Sequence, residues 1–134
     1  MLLHIASRLQ TPGGTPEIFS ETYKADMKSD GDGYTFVYRE HTGSGECDCR
    51  VQVCGDRVAV TKSGAESAVM VFCEGLCHTS VYEAGGYRFD LVLETKTLHA
   101  SLSPAGGTVN LVYTLTLGGE VRECEMHMKL KGVC

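Results

Sequence analysis

At 134 residues and 14.5 kDa the chain is the size of one domain, long enough to bury roughly two-thirds of its unfolded surface and to fold without disulfides or metal. Its 43% apolar and 22% charged residues exclude a disordered, collagen-like or helix-spanning membrane chain. A net charge of −5, with no basic run to neutralise phosphates, excludes nucleic acid as a partner.

The first residues, MLLHIASRLQTPGG, hold too short an apolar stretch for a signal peptide, which predicts a cytoplasmic protein with no membrane association. Seven cysteines are an odd number, and in a reducing compartment they are expected as thiols rather than as a disulfide framework.

In chain order, LLHIASRL reads as a strand and TPGGTP as a loop whose prolines stop the ladder. EIFSETYKADMK follows, closed by SDGDG, whose Asp-Gly steps suit a hairpin turn. YTFVYREH, ECDCRVQVC, RVAVTK and SAVMVF are the next strands, separated by HTGSG, Gly55-Asp56 and SGAE. After CEG come LCHTSVY, the turn AGG and YRFDLVLET. A short turn near Thr95 to Thr97 is predicted before TLHASL, and then SPAGG, TVNLVYTLTL, the turn GG and EVRECEMHMKLK. The whole reads as roughly ten or eleven short antiparallel strands, and a meander of that length is best closed into a barrel without exposed edges.

Period-two alternation assigns the interior. Phe36 and Tyr38, Val58 and Val60, and Met70 and Phe72 share strand faces, as do Tyr87, Phe89, Leu91 and Leu93. Leu111, Tyr113, Leu115 and Leu117, and Met126, Met128 and Leu130, do the same. In ECDCRVQVC, Cys47, Cys49, Val51 and Val53 fall on one face while Cys54 falls on the other, so Cys47 and Cys49 read as core residues, with Cys124 beside Met126.

A zinc site would have to join Cys47 and Cys49 to Cys73, Cys77 or His78. C-x-C on a strand lacks the C-x₂₋₄-C spacing that wraps a turn, and no C-x-x-C supports redox chemistry. SDGDG resembles the start of a calcium loop but has His41 where the twelfth-position carboxylate belongs. The histidines at 4, 41, 78, 99 and 127 stand in no triad context, and Glu123 and Glu125 form a solvated face. No metal, cofactor or catalytic residue is therefore expected. Two charges do break the pattern: Glu40 continues the Phe36/Tyr38 face and Lys62 continues the Val58/Val60 face. Both would point inward at the end of a strand, either snorkelling to water or orienting a ligand's polar group.

The succession YTFVYRE, VAVTKSG, SAVMVFCEG, VYEAGGYRFDLVLETKTL and GTVNLVYTLTLGG resembles the YwiB-like family of bacterial proteins, a domain of unknown function, over about residues 1 to 131. That resemblance implies a calycin-like, lipocalin-like β-barrel across the single domain 1–134, and it transfers no functional residue. The expected function is binding of a small, mainly apolar ligand inside the barrel rather than catalysis. Its walls would be Phe36, Tyr38, Met70, Phe72, Phe89, Tyr113, Met126 and Met128, with Glu40 and Lys62 at the rim. The alternative is a filled barrel that acts through a homodimer or another protein contact.

Overall fold

The computed structural model describes residues 1–132, apart from the side chain of Asp30. Alternation and glycine-bearing turns divide them into ten strands: β1 (Leu2–Gln10), β2 (Glu17–Asp30), β3 (Gly33–Thr42), β4 (Gly45–Cys54), β5 (Arg57–Gly64), β6 (Glu66–Cys73), β7 (Cys77–Ala84), β8 (Tyr87–Ser103), β9 (Gly106–Leu117) and β10 (Glu120–Lys131). Each pairs antiparallel with its chain neighbour, and β1 also pairs with β10 from Leu2↔Lys131 to Gln10↔Glu123, which closes the barrel. No helix among the described residues is long and apolar enough to cross a membrane.

The ring is uneven. Residues Glu17 to Lys24 of β2 pair with β1, whereas its pairing with β3 begins only at Ala25↔Tyr38. The β2–β3 wall therefore parts at one end, beside residues 39–42. Across the ring, β6 pairs with β7 only at Glu66↔Ala84 and Ser67↔Glu83. Beyond those pairs the two strands are held by the Ser80 hydroxyl donating to the Val69 carbonyl at 2.7 Å. Buried Thr95 fastens the end of β6 to β8. Its hydroxyl accepts from the Cys73 N–H at 3.3 Å, and its carbonyl accepts from the Gly75 N–H at 3.2 Å.

A register shift between Thr95 and Thr97 marks the place where the sequence predicts a turn. The chain instead bulges and continues as one 17-residue strand. The Glu74 carboxylate accepts from the Leu98 N–H at 2.9 Å, so the irregular backbone has a partner.

Side chains of one parity fill the end of the barrel where β3 begins and β6 ends. Phe36, Val51, Val58, Phe72, Val109 and Leu111 are fully buried there with Leu3. Phe72 meets the Tyr113 ring edge-on at 4.9 Å. Cys47, Cys49 and Cys124 are buried as alternation predicts, and Cys54 is exposed.

Tyr87 and Phe89 differ from the prediction, being 70% and 41% exposed. They pair with Ala84 and Tyr82 of β7, but β8 meets β9 only from Leu91↔Leu117 onward. The start of β8 therefore overhangs the ring, beyond the depth at which the interior is covered on both sides.

Thiol labelling read by peptide mass spectrometry is expected to modify Cys54 and Cys77 in the folded protein and to reach Cys47, Cys49 and Cys124 only on unfolding. Early labelling of Cys47 or Cys49 would contradict the assigned strand faces.

Candidate functional site

The packed layer occupies only part of the barrel's length. Toward the end where β2 leaves β3, a cavity of about 630 Å³ lies between strands, lined by residues of β1, β2, β3, β5, β6, β7, β9 and β10. Met128, almost fully buried, and Phe19, 55% exposed, both line it, so it runs from the packed interior to solvent. Ile5, Leu9, Val60, Met70, Met126 and Met128 supply apolar wall. The volume lies within the roughly 300–1,000 Å³ typical of small-molecule sites.

A polar cluster interrupts that wall. Lys62 Nζ stands 2.7 Å from Glu40 Oε1 and 3.8 Å from Glu66 Oε1, with all three side chains no more than 20% exposed. The Tyr82 hydroxyl donates a hydrogen bond to the Glu66 carboxylate. Tyr23 and Tyr38 stack obliquely with centroids 4.9 Å apart, and both reach the cavity. Charges this far from water persist because they are paired, and removing one partner would leave an uncompensated charge.

Local chain geometry places Glu66. Residues 64 and 65 turn β5 into β6 so tightly that a Cβ on Gly64, at φ 119°, would lie 2.6 Å from the Glu46 carbonyl oxygen. The Ala65 N–H donates to that same carbonyl at 3.0 Å. Cys47 Sγ then accepts from the Glu66 N–H at 3.3 Å and lies 3.8 Å from the Glu66 carbonyl as a weak donor. The buried thiol thus fixes the backbone that carries the carboxylate.

The cysteines that a zinc site would have to join stand at opposite ends of the barrel. Cys47 faces Gly64 and Cys73 faces Arg57 across the same strand, β5, a separation of roughly 23 Å along it.

Ionisation follows from these contacts. Burial opposes the charge on Glu66, but hydrogen bonds from Tyr82 and Thr42, the Lys62 charge and a bond from Ser44 outweigh it and hold the carboxyl below its ordinary 4.5. Burial likewise opposes the Lys62 charge. The hydrogen bond and charge of Glu40, with Cys49 and Glu66 behind, raise Lys62 above 10.5. Burial, then the neighbouring Cys49 and Glu40, raises Tyr38, and burial, then Glu66, raises Tyr82. Burial and the nearby Glu40 push the Cys49 thiol up to about 11.

Of the predicted ligand-binding residues, Tyr38, Glu40, Lys62, Met70, Tyr113, Met126 and Met128 line the cavity together. Phe36 and Phe72 lie in the packed layer outside its lining, and Phe89 stands at the overhanging start of β8. Glu21, Tyr23, Glu66 and Tyr82 also line the cavity and are absent from the predicted set. A signal existed for Glu66, since it continues the Ala68/Met70/Phe72 face as a charge, the same break in pattern that marks Glu40 and Lys62.

A closed antiparallel meander of ten strands, packed at one end and open at the other, makes this a single β-barrel protein. The chain belongs to the family described as domain of unknown function DUF1934, whose model matches residues 3–130. The crystal structure of ywiB protein from Bacillus subtilis superimposes with a TM-score of 0.86 at 20% identity, covering 98% of this chain and 91% of that one, a likeness of fold. No curated protein matches the chain.

Because Glu66 is depressed in the folded state, its contribution to stability is present above the ordinary value of 4.5 and is lost as pH falls through the folded value. Urea unfolding is expected to show stability declining below pH 4.5, with Glu66→Gln flattening that decline. An unchanged pH profile in the variant would show that the carboxylate is not held as described.

Proposed function

We propose that this protein is a binding module that holds one small amphipathic ligand, its apolar body against the methionine wall and its polar end at the Glu40–Lys62–Glu66 cluster. The observation that carries this reading is the cavity itself, which combines flexible apolar walls with a few fixed polar groups inside an otherwise filled barrel. What supports binding by the buried cluster is that Glu66 is carried down and Lys62, Tyr38, Tyr82 and Cys49 up, all away from neutral pH. Proton transfer at neutral pH works best from a group poised near it, and a thiol raised to about 11 is a poor nucleophile. We place the protein in the cytoplasm, because its six described cysteines are all free, as a reducing compartment keeps them.

Nile red, an uncharged apolar dye, tests the cavity. The wild type is expected to take up about one equivalent with a rise in fluorescence, and Met126→Trp, which places an indole in the cavity, to abolish uptake without unfolding the barrel. Equal uptake by both proteins would place the dye elsewhere and count against the reading.

A second reading is a protein contact or homodimer, and the observation favouring it is the exposure of Ile18, Phe19, Tyr87 and Phe89 at strand starts. Sedimentation would then show a dimer that Tyr87→Ser and Ile18→Ser return to monomer, whereas a monomer at all concentrations removes the homodimer.

A further inference from the structure

Resting on the reading of the cavity as a small-molecule site, we propose that its ligand is an organic cation: a primary ammonium group on an apolar body. Three carboxylates line the cavity, Glu21, Glu40 and Glu66, against Lys62, Arg8 and the imidazole of His41, whose own partner is Glu46 at 3.4 Å; with the histidine counted neutral, a surplus of one negative charge is left. Arg8 is exposed to solvent, and its guanidinium donates to Gln10 at 3.5 Å.

The lysine is also committed. Lys62 is shared between Glu40 and Glu66, so an anionic head group approaching it would meet two carboxylates at close range in a recess where water screens poorly. Glu66 is bound at Oε1 by Tyr82 and Lys62 and takes further hydrogen bonds from Thr42 and Ser44. The acceptors left for a ligand are the second carboxylate oxygen of Glu40 and the whole carboxylate of Glu21, which makes no ion pair among the described residues.

These two groups flank one feature of the wall. Glu21 lies on β2 within the segment unpaired with β3, and Glu40 lies on β3 just past the last pair, so they border the parting of the two strands. Tyr23 follows Glu21 by two residues and Tyr38 precedes Glu40 by two, which brings both tyrosines to the same inner face. Tyr23 feels the charge of both Glu40 and Glu21. A cation lodged there has carboxylate oxygens to accept its N–H groups and tyrosine rings for its charge. A bare metal ion would leave the apolar wall of Met70, Met126 and Met128 without a partner, whereas the alkyl or aryl body of an amine covers it.

Calorimetric titration of the full chain at neutral pH with octylammonium, 1-octanol and octanoate separates the cavity from the head group. Octylammonium is expected to bind about tenfold more tightly than octanol, and octanoate more weakly than either. Glu21→Gln, a change at an exposed position, is expected to remove that advantage while leaving octanol binding unaltered. If octanol or octanoate binds as well as octylammonium, the cationic assignment fails and the cavity reading stands. If none of the three binds, both fail.

Discussion

Everything else in this molecule depends on β1 pairing with β10. A ten-strand meander left open would present two edges of unpaired backbone and one uncovered apolar face. Nine residue pairs between the first and last strands remove both edges and turn the sheet's inner face into an enclosed volume. Closure also sets the interior's size, because barrel diameter grows with strand number. About eight strands leave an interior just wide enough for side chains or one small ligand, so ten leave more room than a single layer of valines and leucines fills.

That room is divided along the barrel axis. At one end two phenylalanines and branched side chains are fully buried, and at the other tyrosines, methionines and charged residues line the cavity. Two features keep the second end open. β2 pairs with β3 only from Ala25 onward, leaving residues 17–24 apart from it, and the charges of Glu40, Lys62 and Glu66 are satisfied by one another in place. The result joins what the sequence presents as alternatives, a filled barrel and a hollow one, in a single interior. The charged cluster sits beyond Tyr38, Val60 and Met70, on the open side of that interior.

The cysteine-rich stretch 46–54 gains its meaning from the same geometry. Cys47 and Cys49 are buried, Cys49 beside Tyr38 and Lys62, while Cys47 holds the main chain of Glu66. Their contribution to the site is support: small apolar side chains that let charged neighbours stand at fixed positions. Burial and the nearby Glu40 displace the Cys49 thiol toward a higher pKa, which keeps it protonated.

Which residues face inward was legible in the sequence, because a strand alternates its side chains with period two whatever it pairs with. Glu40 and Lys62 could be singled out as charges on inward faces, and Cys47, Cys49 and Cys124 as core residues, on that basis alone. Depth along the barrel was not legible, since alternation is the same at the middle of a strand and at its overhanging end. Phe36, Phe72 and Phe89 share the inward parity of Tyr38 and Met70, yet pairing register puts the first two in the packed layer and the third past the last β8–β9 pair. The sequence by itself determined the all-β alternation, the strand faces and the inward charges Glu40 and Lys62, but not that β8 bulges and runs on where a turn is predicted. Tertiary structure alone decided that Glu40, Lys62 and Glu66, from three different strands, meet within hydrogen-bonding and ion-pair distance, because that meeting depends on register and closure, which are properties of strand pairs rather than of any one strand.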